Sequence, residues 1–244
     1  MPFSLFLGLG AALALLQIYR HNSLKESSRW VDGGVLVMVG ALLGARFAFA
    51  ILHYSYYKEH LLEILQFWQG GLSVYGALIG GLLVAGILAV AWKQRFLMVC
   101  DRIVPMIPPL AIFICLGCWQ SGVAYGNLAP ENAWWGLPTL DESGAMLERV
   151  PLQIMASMVI LVYYGILELH PPAFLLPGMK SIVYFAGLAV VLMAGSLLRA
   201  DASPMVAGLR LDSWAALTFM MLIFLEALYA SLPRSTGSTE INKN

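Results

Sequence analysis

The chain alternates long apolar runs with short polar breaks, and the length of the runs is its first informative feature. A helix that crosses the hydrocarbon core of a bilayer needs about 20 mostly apolar residues. Runs of that kind fall at about residues 3–19, 33–53, 72–92, 103–122, 151–168, 181–198 and 213–231, which predicts seven spanning helices. Together they make residues 1–231 one transmembrane domain, with a single long insertion at about 123–150. The polar tail 232–244 reads as disordered.

Within that pattern one stretch stands out. Trp68 to Gly86, WQGGLSVYGALIGGLLVAG, is apolar enough for a bilayer yet rich in residues that let backbones approach. As a helix it stacks Ser73, Ala77, Gly81 and Ala85 on one stripe and Gly76 and Gly80 on the next. Because lipid tails are as apolar as leucine, spanning helices associate largely by close packing at small residues. The stretch is therefore expected in the middle of a bundle, against Gly40, Gly44 and Ala48 of the second run. Ser73 and Tyr75, behind Gln69, form a polar group where this helix enters the membrane. Tight packing alone accounts for the glycines, and a site of bare backbone beside polar groups accounts for them equally. The first run carries no charge before Arg20 and is expected to be a peripheral, lipid-facing span, retained rather than cleaved.

Composition agrees with the pattern: 60% of the residues are hydrophobic, 11% are charged, and the mean hydropathy is +0.78. The net charge is zero and no basic, aromatic-interleaved patch points to nucleic acid. The distribution of cations matters more than their sum. An outside N-terminus leaves nine basic residues inside (Arg20, Lys25, Arg29, Lys93, Arg95, Arg102, Lys180, Arg234 and Lys243). The outer connections then hold only Lys58, Arg149, Arg199 and Arg210, so the excess of positive charge inside predicts N-out, C-in.

Several residues carry candidate chemistry. Arg46 lies inside the second run, where an arginine costs about 2.5 kcal/mol or more and needs a partner or a wet pocket. Snorkelling to the headgroups is the other account of it. His53, His60 and Glu63 lack metal-ligand spacing, so no metal is expected, and no cofactor motif is present. Pro105, Pro108 and Pro109 predict a kink in the fourth run. Cys115 and Cys118 form C-x-x-C in an apolar span and read as small packing residues, with Cys100 the third cysteine. Arg46, Tyr75, Gln153 and Arg199, from four different helices, all fall toward the outer half of the membrane, and Ser73 beside Tyr75 joins them as a headgroup-binding candidate. Cations at that depth suit a phospholipid phosphate, although Arg199 and Asp201 also suit a pair with each other.

The segments GARFAFAILHYSYYKEHLLEILQFWQGGLSVYGALIG, DRIVP, GCWQSGVAYG, PLQ and LLRAD, in that order, resemble the phosphatidylglycerol:prolipoprotein diacylglyceryl transferases. The resemblance covers most of residues 33–231 and implies a seven-helix bundle in the bacterial cytoplasmic membrane with its N-terminus outside. It implies transfer of diacylglycerol from phosphatidylglycerol to the cysteine of a lipoprotein precursor. Scaffold positions match: Gly44, Arg46, Gly70, Gly71, Ser73, Gly76, Gly80, Asp101, Pro105, Gly117, Tyr125, Gly126, Pro151, Gln153 and Arg199. Chemical positions do not. The histidine of the family's H-G-G-x-I-G is Tyr75. In its G-R-x-G-N-F-x-N-x-E-x-x-G, the arginine falls at Cys115, the asparagines at Cys118 and Ser121, and the glutamate at Val123. A further arginine and glutamate fall at Leu192 and Ser196.

Attack by a thiol needs a base, and a departing glycerol phosphate needs positive charge. Tyrosine, with an ordinary pKa of about 10, is a poor base near neutrality. The expectation is a catalytically degenerate member, with no catalytic residue assigned, that binds phospholipid, phosphatidylglycerol by the resemblance, or serves as a subunit for other membrane proteins. A divergent active transferase using Tyr75 and Arg46 is the alternative.

Overall fold

The computed structural model describes residues 2–67, 70–131, 133–140, 144–171 and 177–231. Trp68, Gln69, Asp141, Glu142, Ser143 and the expected disordered tail 232–244 lie outside the described residues. Nine helices are present among them: α1 (Pro2–His21), α2 (Ser27–Leu52), the single turn α3 (Tyr54–Tyr57), α4 (Val74–Ala91), α5 (Phe96–Ile103), α6 (Ile107–Gln120), α7 (Leu152–Leu169), α8 (Met179–Leu198) and α9 (Leu211–Ser231). Seven spans are long and apolar enough to cross a membrane, and one of them, Phe96–Gln120, comprises α5 and α6. The fold is thus the expected seven-helix membrane bundle. Its fourth span breaks into α5 and α6 through a 3-10 turn, Val104–Met106, centred on the buried Pro105. Proline removes a helix donor and crowds the preceding turn, so the break falls there.

The closest crossing joins α2 to α4. A Cβ added at Gly44 would meet the Gly76 carbonyl and lie 2.8 Å from the Gly80 Cα. One added at Gly80 would meet the Gly40 carbonyl. The seam therefore pairs Gly40 and Gly44 with the stripe of Gly76 and Gly80, not with the neighbouring stripe that carries Ala77 and Gly81. Gly81 sits at ordinary contact distance, 3.5 Å from Val37.

Two expectations about placement are corrected. Helix α4 packs along α2 and against α5, but Ile79, Leu83, Ile87 and Val90 are exposed, so it is an edge helix with one tight face. Its small residues serve a single crossing, and its large ones face lipid. Helix α1 is not merely peripheral: it packs on α6 and α2, with Ala14 and Ile18 fully buried while Leu5, Leu9, Leu13 and Leu16 face outward. Alanine and glycine at the inner positions allow this. A Cβ at Gly10 would sit 2.9 Å from Phe113, and one at Gly117 would sit 2.9 Å from Phe3.

Alternate crossings place the C-terminal ends of α1, α4, α7 and α9 at one end of the bundle, with the N-terminal ends of α2, α5 and α8. There the Asp101 carboxylate accepts from the backbone N–H groups of Gly178 (2.5 Å) and Ser181 (2.7 Å). It caps a helix N-terminus from another span, where orphan donors and the helix dipole favour an anion. Glu168 joins His21 (2.6 Å), Lys180 (3.5 Å) and the Tyr184 hydroxyl at the same end, linking α7 to α1 and α8. The His21 Nδ1 also faces the Gln17 carbonyl.

The insertion at 123–150 carries an antiparallel hairpin, β1 (Leu137–Leu140) with β2 (Met146–Arg149), paired Leu137 with Arg149 and Leu140 with Met146. A second small hairpin, β3 (Met205–Val206) with β4 (Leu209–Arg210), leads into α9. Both lie at the end of the bundle opposite Glu168.

Candidate functional site

The sequence-selected polar residues lie at the hairpin end. Arg46, on α2, is 6% exposed, and its guanidinium is turned onto backbone. Nε donates to the Ile64 carbonyl (2.9 Å), one terminal nitrogen to the carbonyls of Gly70 (2.6 Å) and Gly71 (3.1 Å), and the other to Glu63. The Tyr57 ring lies 5.3 Å from the guanidinium carbon. This geometry follows from the segment after α2. A 3-10 turn, Leu61–Leu65, and the left-handed Gly70 (φ 91°) and Gly71 (φ 70°) turn carbonyls toward the guanidinium, and that of Glu63 also accepts from the Gln66 N–H at 3.1 Å. A buried arginine with a rigid fork of donors satisfies them together. Of the two accounts of Arg46, the partner holds and snorkelling does not. Its donors are largely committed, which leaves little of it for a headgroup.

Ser73 is the N-cap of α4: its Oγ accepts from the Gly76 N–H at 3.3 Å, and its own N–H donates to the Ala45 carbonyl at 3.1 Å. Two residues on, the Tyr75 hydroxyl donates to the Asp212 carbonyl at 2.8 Å and so ties the start of α4 to the start of α9. Gln153, 4% exposed, donates to the Val123 carbonyl at 2.8 Å. Ser157 on the next turn donates to the Gln153 carbonyl at 2.9 Å.

Arg199, just past α8, stands in a network of four charges. Its Nε donates to Asp201 at 2.9 Å and a terminal nitrogen makes a second bond to the same carboxylate, a bidentate pair. Asp212 lies 3.6 Å from its other terminal nitrogen. Arg210 reaches Asp201 (3.2 Å) and Asp212 (3.8 Å) and donates to the Asp201 carbonyl at 2.7 Å. Burial works against the charge of Arg199, but the hydrogen bond and charge of Asp201 and the charge of Asp212 more than offset it, so its pKa is raised and it stays a cation. The buried Nε of Arg210 has no hydrogen-bond acceptor among the described residues.

The structure therefore brings Tyr75 and Arg199 together around Asp212, with Ser73 beside them. Arg46 and Gln153 belong to separate local networks. The sequence-predicted pair Arg199–Asp201 is present. Arg210 and Asp212 were not among the predicted site residues. Their link to Arg199 and Asp201 depends on the β3–β4 hairpin, and the Arg-x-Asp of residues 199–201 repeated at 210–212 was the sequence signal for it.

At the positions where the resembled family has ionised groups, the surroundings are those of packing. Cys115 packs against the cluster of Val104, Ile160, Tyr164 and Tyr184, and all three cysteines are free thiols. Val123 is 44% exposed and contributes only its backbone. The Ser196 hydroxyl, buried, donates to the Met193 carbonyl at 2.8 Å and accepts from Ser213 at 3.1 Å. The arrangement can hold helices in register and neutralise its own charges.

Known proteins place this geometry in context. A family model described as prolipoprotein diacylglyceryl transferase matches residues 2–229. The phosphatidylglycerol–prolipoprotein diacylglyceryl transferase of Symbiobacterium thermophilum is 31% identical over 228 residues, 86% of this chain and 81% of that protein. The protein of the same name from Paracidovorax citrulli is 29% identical over 158 residues, 62% of this chain and 57% of that one. That from Polaromonas naphthalenivorans is 31% identical over 120 residues, 49% and 44%. The matched segments thus span about half the length of the latter two relatives. With seven spans and a family match that runs almost from end to end, this chain belongs to the prolipoprotein diacylglyceryl transferase family.

Proposed function

We propose that this chain is a non-transferring member of its family, a membrane subunit that keeps the transferase scaffold without the transferase chemistry. The observation that carries the reading is the state of the hairpin end: Tyr75 is bonded to a backbone carbonyl, Arg46 is bonded to four, and Arg199 is paired with Asp201 and Asp212. Transfer needs a group to take the thiol proton and cations to receive the glycerol phosphate as it leaves. Losing a single donor of that kind typically costs about 100-fold or more in rate. The protein then resides in the bacterial cytoplasmic membrane with its N-terminus outside, as the excess of positive charge on the inner connections requires.

A second reading keeps a phospholipid at this end. It is favoured by the buried Arg210 Nε, which has no acceptor among the described residues and lies in a network where two arginines face two carboxylates. Phosphatidylglycerol, which the names of the relatives carry, is the lipid to try first.

The test is complementation of a strain depleted of its own diacylglyceryl transferase, with a parallel assay on phosphatidylglycerol and a lipobox peptide. The expected result is no transfer, with membrane proteins co-purifying from native membranes. Phosphatidylglycerol that stays with the wild type but not with Arg210→Gln identifies the second reading. Robust transfer abolished by Tyr75→Phe would overturn both in favour of a rearranged active site.

A further inference from the structure

At the end of the bundle opposite the charged network, α4, α5, α8 and α9 do not close completely. They leave a cavity of about 90 Å³ lined by Phe96, Phe185, Phe219, Ser181, Cys100 and Glu226, among others. Glu226 is half-buried near the end of the last span and makes no hydrogen bond or ion pair with any described residue. A carboxylate at this depth is costly when unpaired, and an ionisable group inside a span ordinarily has a partner. The nearest lysine on α8, Lys180, is committed to Glu168 across the bundle.

The lining chooses the sign of the partner. The Ser181 N–H goes to Asp101 and its hydroxyl to the Gly178 carbonyl, so neither is spare for an anion. Three phenylalanines form the apolar wall, with Phe185 and Phe219 edge to face at 5.9 Å. Aromatic rings beside a carboxylate attract an alkylammonium twice, through the ring quadrupole and through the opposite charge. The cavity has room for a few water-sized groups. That is enough for an aminoethyl group.

We infer that this cavity binds a primary alkylammonium group, with the Glu226 carboxylate as counter-ion and the phenylalanines as its wall. Two sources share this chemistry, the ethanolamine headgroup of a bilayer aminophospholipid and a soluble amine. The cavity runs from Leu82 and Phe219, near the middle of their helices, to Glu226, two residues before the end of the last span, and it is from the Glu226 end that either source would enter.

The experiment uses the full chain in nanodiscs of phosphatidylglycerol alone or mixed with phosphatidylethanolamine. Lipids retained on the protein are read by native mass spectrometry and stability is read by thermal unfolding. The wild type should retain phosphatidylethanolamine in preference to phosphatidylglycerol, and Glu226→Gln should lower that preference by about threefold or more, the scale of a partly exposed ion pair. Ethanolamine or spermidine added to phosphatidylglycerol discs should stabilise the wild type but not Glu226→Gln if the source is soluble. Should Glu226→Gln fail to fold, Phe219→Leu removes an aromatic wall while keeping the bulk, and a smaller loss of the same preference is expected. A wild type that shows neither the lipid preference nor stabilisation by amines would overturn the inference. So would a preference unchanged in the variants.

Discussion

Substituting alanine for Gly44 probes the crossing on which the fold depends. The added Cβ would lie against the Gly76 carbonyl, 2.8 Å from the Gly80 Cα and 3.1 Å from the Gly80 nitrogen. Carbon contacts are comfortable at about 3.5–4.0 Å. All three neighbours are backbone atoms, so no rotamer change relieves the overlap and α2 and α4 must separate by about 1 Å. Overpacking of that kind costs about 1–3 kcal/mol, and van der Waals contact is the main force holding such helices together.

Gly81→Ala is the matched control. Its Cβ would find Val37 at 3.5 Å and Ala41 at 3.6 Å, which is ordinary contact. Replacing glycine within a helix also stabilises by about 0.5–1 kcal/mol. That gain is common to both variants, one on each helix of the same pair, so they should differ by the overpacking alone, about 1–3 kcal/mol. Reversible unfolding in mixed micelles with increasing sodium dodecyl sulfate measures the difference, with Gly86→Ala, whose Cβ meets nothing within 4 Å, as a second control. If Gly44→Ala falls within about 0.5 kcal/mol of Gly81→Ala, a difference no larger than an ordinary surface substitution, the proposed register of the seam is refuted.

Arg46→Gln should release the carbonyls of Glu63, Ile64, Gly70 and Gly71 and cost about 3 kcal/mol, since hydrogen bonds to charged groups contribute about 1.5–3 kcal/mol each and part is recovered by water. Hydrogen exchange in residues 61–71 should rise in this variant while exchange in α7 stays unchanged. Asp101→Ala removes the cap of α8 and should cost about 1–2 kcal/mol, read by the same unfolding assay; an unchanged midpoint would deny the capping role. A double-mutant cycle of His21→Gln with Glu168→Gln should return a coupling of about 1 kcal/mol or more, as contacting charged residues do, and additivity would show that the contact contributes nothing. A cysteine placed at the exposed Met146 should react with an impermeant maleimide from outside intact cells; labelling only after the cytoplasmic face is opened would reverse the proposed orientation.

The number of spans and the proline break were legible because the bilayer imposes them locally: length and apolarity define a span, and a missing N–H breaks a helix wherever it falls. The small-residue stripes were legible for the same reason, as a property of one helix and its period. Which stripe meets which was not. Gly80 and Gly81 are adjacent and differ in the sequence only by position, yet a Cβ on one would meet backbone atoms of α2 and on the other chiefly the side chains of Val37 and Ala41 at ordinary distance, because the crossing angle and depth of two helices are set by both at once. The placement of α4 at an edge has the same origin, since a run of glycine and leucine does not say how many of its faces have neighbours. The charges behaved likewise. Arg199 and Asp201, two residues apart, could be paired from the sequence. Arg46 with four carbonyls, Glu168 with His21, and Tyr75 with Asp212 required chain reversals that bring residues 17 to 147 positions apart within hydrogen-bonding distance. Residue identity limits what each group can bond to, while the tertiary fold decides which of those bonds are made and so which cations are left for a ligand.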